Sequence, residues 1–227
     1  MAVVKGKRVV LVGGGHAHMT VLKEARAFKD AGLRLILISP DEFHYYSGMG
    51  PGLLGGNYTP DDIRFNVRKM VERGGGEFIR GRVVRVSPER KILYLDKGGI
   101  IEYDIVSFNV GSQVAGEITV RDGADVFPVK PVYNLCLARN RILEWERKVP
   151  LRVVVVGGGP AGVEVAGCVQ ALLHEKGVNG EVSLVAGSGL LKELPDRARK
   201  IIRVNFRRRG INIYEGMRCR EIGVGIV

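Results

Sequence analysis

The chain has 227 residues, of which 45% are hydrophobic and 26% charged, with a formal net charge of +11; this is the profile of a soluble globular protein with room for one large domain or two small ones. No run approaches the ~18 apolar residues that span a bilayer, and Cys136, Cys168 and Cys219 form no CxxC or CxxxxC pair, which argues against a disulfide framework, a cysteine zinc site and a local redox dithiol. The basic surplus is densest at Arg207, Arg208 and Arg209 and comes without a helix-turn-helix, zinc-knuckle or RNA-binding aromatic signature, so it is read as a solvated helix face, with attachment to an anionic membrane surface as the second reading and no nucleic-acid partner.

In chain order, Lys7 to Val12 is an apolar run of the kind that forms a strand buried on both faces. The N-terminus carries Lys5, Lys7 and Arg8 around the start of this strand, without the apolar region and cleavage site of a signal peptide, which gives a cytoplasmic expectation. His16 to Ala31 is expected as one helix, because Val21, Leu22, Ala25 and Phe28 fall at helical spacing and Gly32 stands at the C-cap. Leu33 to Ser39 is the next buried strand, closing a βαβ unit. Asp41 to Pro60 is rich in glycine, aromatic residues and proline and has no period, as expected of a long functional loop. A helix capped near Asp61 should follow, then several strands from Glu77 to Ser112 with turns at Ser87-Pro88 and Gly98-Gly99.

Val114 to Pro131 is an irregular connector and Val132 to Lys148 a helix stopped by Pro150. A second βαβ unit has its strands at Arg152–Val156 and Glu181–Ala186 and its helix at Ala161–Lys176. A helix near Asp196–Arg209 and a strand at Ile211–Tyr214 come next, and the final EIGVGIV reads like the start of a strand. The expected fold is α/β, with two Rossmann-like units whose parallel sheets are flanked by helices. A doubly wound domain needs more strands than the second unit has, so that unit is expected to be incomplete at Val227.

Two stretches carry the chemistry. VLVGGGHAH places Gly13, Gly14 and Gly15 between strand and helix, and VVVVGGGPAGVE repeats the design with Gly157, Gly159, Pro160, Ala161 and Gly162. In a dinucleotide turn the first glycine lets the backbone turn sharply, the second lets it approach a pyrophosphate, and the third lets helix and strand pack closely. The phosphates meet free amide hydrogens at the helix N-terminus. His18 replaces the third glycine of the first turn, which should alter helix–strand packing rather than phosphate access; His16, at the helix start, could also donate to a phosphate. The ribose-binding acid usually found at the end of the second strand is not clearly present: the first unit has Ser39 and then Asp41, the second Ala186, Gly187 and Ser188. No arginine stands at that second strand end in the sequence, so NADH and NADPH are not distinguished.

The paired turns, GGGPAGVE and the strand YDIVSFNVGS resemble the two-dinucleotide-binding-domain flavoproteins of the pyridine nucleotide-disulfide oxidoreductase superfamily. Asn109 and Val110 replace that family's usual Ala-Thr, while Gly111 and Ser112 match. GGGHAH, YYSGMGPGLLGG and FPVKP are most similar to a branch of NADH dehydrogenase-like proteins, fused in some bacteria ahead of selenide,water dikinase. The resemblance implies an FAD-binding first segment at 1–113, a connector with a helix at 114–149, and an NAD(P)H-binding domain at 150–227. Carried over by position, Gly13, Gly14, Gly15, His16 and Ala17 face the FAD pyrophosphate, Ser39 or Asp41 its ribose, Val83 the adenine, and Gly111 the flavin side. Gly157, Gly159, Pro160, Ala161 and Gly162 hold NAD(P)H, and Glu164 lies near the nicotinamide. Lys130 is either a flavin neighbour or a surface lysine.

The expected activity is an FAD-dependent NAD(P)H oxidoreductase that passes hydride from nicotinamide to flavin and then to a small acceptor such as a quinone. Further expectations are a homodimer and peripheral contact with the inner face of the membrane. Two alternatives remain at this point: a sulfide:quinone reductase-like enzyme using Cys136 and Cys168, and a non-catalytic nucleotide-binding partner module linked to selenium metabolism.

Overall fold

The computed structural model describes residues 6–114, 118–146 and 149–225. In chain order the elements are β1 (Arg8–Val12), α1 (His16–Lys23), α2 (Ala25–Asp30), β2 (Arg34–Ser39), β3 (Phe43–Tyr45), a 3-10 turn (Ser47–Met49), α3 (Gly50–Gly55), β4 (Arg64–Asn66), α4 (Val67–Arg73), β5 (Glu77–Arg80), β6 (Val83–Ser87), β7 (Ile92–Leu95), β8 (Ile100–Glu102), β9 (Ile105–Phe108), β10 (Thr119–Val120), α5 (Asn134–Leu143), β11 (Leu151–Val156), α6 (Pro160–Lys176), β12 (Gly180–Ala186), α7 (Asp196–Arg208), β13 (Ile211–Glu215) and β14 (Glu221–Ile222). They form two units, Met1–Tyr46 with Arg64–Ser112 and Ser47–Ile63 with Gln113–Val227.

The first unit is built on a parallel sheet of order β5-β2-β1-β9. Side chains alternate across a strand, so one apolar run supplies two cores. Val9, Leu11, Leu35 and Leu37 pack with Leu22, Ala25, Val67 and Val71 of the helices. Val10, Val12, Ile36 and Ile38 pack with Leu93 and Tyr103, on the side where the antiparallel sheet β6-β7-β8 lies. The continuous apolar strands thus have the two-sided burial that their sequence implied, with a small sheet rather than a helix covering one side.

Three expectations for residues 16–66 change in the structure. The single helix His16–Ala31 is two helices joined at Glu24, whose N–H reaches back to Val21 O in a tight 3.1 Å turn; the bend keeps Leu22 and Ala25 in the core. The helix does not start near Asp61, because the Asp62 carboxylate accepts from the Thr59 N–H and hydroxyl, both at 2.7 Å. Residues 64–66 then pair antiparallel with 43–45, and Asn66 caps α4 by accepting from Lys69 N–H at 2.8 Å. The segment 41–60 is not structureless: it holds β3, the 3-10 turn and α3, whose Leu53 and Leu54 are fully buried. Its elements are too short, and α3 too rich in glycine, to show a period.

The second unit has a parallel sheet of order β11-β12-β13. α6 buries Val163, Val165, Ala166, Val169, Leu172 and Leu173, and β12 buries Val182, Leu184 and Ala186. α5 is shorter than the expected 132–148 and spans Asn134–Leu143; Lys148 and Val227 lie outside the described residues. α7 follows the sequence closely, with Phe206 buried and Gly210 (φ +69°) ending the helix region.

Leu172 has no solvent exposure whereas Val204 on α7 is 51% exposed. Leu172→Ala should therefore destabilise by about 2–5 kcal/mol and Val204→Ala by less than about 0.5 kcal/mol. Urea unfolding of both variants checks this; equal effects would contradict the assigned packing of α6.

Candidate functional site

The two glycine turns are built alike. Gly13 and Gly157 have φ of +89° and +126°, conformations that side chains rarely tolerate. Their N–H groups donate to the carbonyls of Ile38 and Val185, each at 2.8 Å, tying each turn to the end of its second strand. Gly15 and Gly159 are extended helix N-caps, and no side chain caps either helix. The first-turn amides of α1 and α6 are therefore not satisfied by a capping side chain and suit an anion. At Gly159 a Cβ would meet nothing within 4 Å, so the glycine leaves free space in front of the helix.

The turns differ at their third position. A Cβ on Gly162 would overlap the Gly157 carbonyl oxygen, which is the close helix–strand approach the fingerprint demands. In the first turn the equivalent Gly13 carbonyl is met by the imidazole of His18, 2.7 Å from its Nδ1. His18 Nε2 lies 2.9 Å from Ser107 Oγ on β9. A carbonyl only accepts, so Nδ1 carries the hydrogen; in the neutral ring Nε2 then accepts from the Ser107 hydroxyl. His18 is buried and braces the turn through hydrogen bonds to both ring nitrogens. The sequence expectation of altered packing is met, with a partner, Ser107, that spacing alone does not reveal.

Around the first turn, Gly15 N–H donates to Asn109 O at 3.1 Å, and a Cβ on Gly15 would collide with the Asn109 side chain. Gly14 faces Val67 of α4, where a Cβ would lie 3.1 Å from Cγ2. His16 and Ala17 are exposed at the start of α1. The His16 ring lies 5.2 Å from that of Tyr46. His44, on β3 two residues before Tyr46, has a buried Nε2 with no hydrogen-bond partner among the described residues. Burial first, and then nearby His16, hold His44 below the ordinary histidine range. Of the ribose candidates, Ser39 is buried at the end of β2, and the Asp41 carboxylate accepts from Phe43 N–H at 3.0 Å. Val83 packs partly buried on the core, and Gly111 has φ +77° with nothing near a Cβ.

Around the second turn, β12 ends at buried Ala186, and Gly187 and Ser188 follow. The reading that no arginine stands at this strand end is corrected by the fold: a Cβ on Gly187 would lie 3.0 Å from Arg218 Cγ. Arg218 comes from beyond β13, and no local spacing signals it. Glu215, in register with Ala186, is bonded by Arg203 at 2.7 and 3.0 Å and accepts Leu190 N–H at 3.1 Å.

Glu164 is exposed on α6 and lines a cavity of about 470 Å³ with Cys168, Asn205 and Arg209. Burial, and after it the Glu164 charge, raise the Cys168 thiol, while Arg209 opposes them. Cys136 is buried, and Lys130 precedes a cis peptide to Pro131.

Two outcomes follow from this geometry. His18→Gly orphans the Gly13 carbonyl and should cost about 1–3 kcal/mol, while His18→Asn, which keeps a donor, should recover part; urea unfolding reads both. Glu164→Gln should speed alkylation of Cys168 by iodoacetamide at mildly alkaline pH and Arg209→Ala should slow it, because a lower thiol pKa means more thiolate; mass spectrometry of the labelled peptide gives the rates.

An alternative NAD(P)H-ubiquinone oxidoreductase B1 of Solanum tuberosum mitochondria is 23% identical over 252 residues, covering 96% of the chain and 43% of that protein. A type II NADH:quinone oxidoreductase of Staphylococcus aureus is 24% identical, covering 71% of the chain and 42% of its own length. Among solved structures, NDH2 of Plasmodium falciparum in complex with NADH matches with a TM-score of 0.79 at 20% identity, over 92% of the chain and 48% of that protein. A water-forming NADH oxidase of Lactobacillus brevis matches with a TM-score of 0.80 at 16% identity, over 95% and 48%. The chain thus spans less than half the length of these relatives. The pyridine nucleotide-disulphide oxidoreductase family matches residues 7–224, and the chain belongs to that family.

Proposed function

We propose that the chain is the nucleotide-binding part of an FAD-dependent NAD(P)H oxidoreductase. The observation that carries this reading is the pair of equivalent turns, each tied at 2.8 Å to its second strand and each followed by a helix without a side-chain cap. Residues 1–113 form the FAD-binding segment, 114–149 the connector and 150–227 the NAD(P)H-binding domain. Gly13, Gly14, Gly15, His16 and Ala17 surround the FAD pyrophosphate, which meets amides at the uncapped start of α1; the Gly13 and Gly15 N–H groups are themselves held by Ile38 O and Asn109 O and shape the turn. The unpartnered Nε2 of His44 beside His16 fits a polar ligand at that place. Ser39 or Asp41 serves the ribose, Val83 the adenine and Gly111 the flavin side. Gly157, Gly159, Pro160, Ala161 and Gly162 hold NAD(P)H, and Glu164 orients the nicotinamide.

Bound FAD and NAD(P)H supply hydride transfer between their ring systems. The chain's residues contribute binding and orientation, and no general acid or base is required of them. A quinone is the proposed acceptor, in keeping with the names of the plant and bacterial relatives. No helix among the described residues is long and apolar enough to cross a membrane. Peripheral contact is supported by α7, where exposed Ile201 and Val204 lie on a helix that also carries Arg197, Lys200, Arg207 and Arg208. Homodimerisation remains part of the proposal through the family alone. The sulfide:quinone alternative gains nothing from Cys168, whose thiol is raised and so is a weaker nucleophile near neutral pH.

Gly159→Ala tests the reading without disturbing the fold, because its Cβ would enter free space at an ordinary backbone conformation. The variant should melt at the native temperature yet bind NAD(P)H at least about tenfold more weakly, since the methyl occupies the approach of the pyrophosphate. Unchanged affinity, measured by calorimetric titration, would remove the second turn from the site.

A further inference from the structure

The adenosine ribose of a dinucleotide lies at the C-terminal end of the second strand of its turn, where an acid takes the 2′-hydroxyl of NAD and an arginine accommodates the 2′-phosphate of NADP. In the second unit that end is Ala186, followed by Gly187 and Ser188, so this end of the strand supplies no carboxylate. The nearest register partner of Ala186 is Glu215 on β13. Its oxygens are taken by the Arg203 guanidinium at 2.7 and 3.0 Å and by Leu190 N–H at 3.1 Å. The Arg203 bonds, and then the Leu190 amide, hold Glu215 below the usual carboxylate range. Glu215 is therefore a structural anion that braces the Gly189–Leu190 turn, already neutralised by its own arginine.

Beyond β13 the chain folds back over this strand end. Gly216 N–H donates to Ala186 O at 3.0 Å, fixing the segment. Arg218 then crosses Gly187, where a Cβ would stand 3.0 Å from Arg218 Cγ and 3.3 Å from Met217 O. A larger residue at 187 would push the arginine away. Arg218 is exposed, and no hydrogen bond or ion pair holds its side chain among the described residues. An unpaired cation thus stands where an acid would otherwise select NADH.

Resting on the reading of the second turn as the NAD(P)H site, we infer that this site selects NADPH and that Arg218 receives the 2′-phosphate. A planar guanidinium bonds phosphate oxygens in pairs, and such charge-assisted bonds are about twice as strong as neutral ones. The free Gly187 surface leaves the arginine its position, and Glu215 does not compete for it because Arg203 occupies that carboxylate.

The test is equilibrium binding of NADPH and NADH to the intact chain, followed by the quenching of protein fluorescence. NADPH should bind about tenfold more tightly or better. Arg218→Ala should weaken NADPH by about that factor and leave NADH within about twofold, and Arg218→Lys should keep part of the preference. Raising salt should weaken NADPH more than NADH. The inference is overturned if the native chain binds NADH as tightly as NADPH, or if Arg218→Ala weakens both equally. If the correctly melting native chain binds neither nucleotide, the reading of the second turn itself falls, and the preference with it.

Discussion

In each unit the carbonyl of the first glycine must lie against the helix that follows, or the amides of that helix cannot face a common anion. The rest of the structure serves this contact. In the second turn it is made by subtraction: Gly162 has no side chain, and a Cβ there would overlap Gly157 O. In the first turn it is made by addition. The His18 imidazole fills the gap and bonds Gly13 O at 2.7 Å while joining Ser107 at 2.9 Å. The same backbone requirement thus has two chemical solutions in one chain. The histidine also links the turn to β9, the strand whose continuation brings Asn109 against Gly15.

The strands supply the rigidity that makes the contact reproducible. β1 and β2 are buried on both faces, between the helices and the small antiparallel sheet. β12 and α6 bury the corresponding side chains of the second unit. Each turn is anchored to its neighbouring strand through a 2.8 Å bond from the first glycine. Local conformational freedom at Gly13 and Gly157 is therefore spent within a frame that holds everything else.

Much of this was legible in the sequence, for physical reasons that can be named. Apolar runs such as Val9–Val12 and the stripe of Leu22 and Ala25 report burial directly, and glycine at a strand end reports positive φ. What escaped was either short or distant. α3 lacks a period because it has six residues, three of them glycine. The Asp61 start failed because the neighbouring Asp62 was occupied by Thr59, leaving Asn66 to cap α4. Ser107 and Arg218 reach their partners across a sheet or beyond a strand, so no local spacing could announce them. The fold was readable from periodicity and the glycine turns from their motif; the residues that brace or flank the two turns depend on tertiary approach.

The proposal that the two cradles are separate sites for different nucleotides is tested most directly by equilibrium dialysis of the intact chain with labelled FAD and NADPH together. It predicts one FAD and one NADPH retained per chain, with neither displacing the other. Retention of a single nucleotide in total, with FAD and NADPH competing for it, would contradict it.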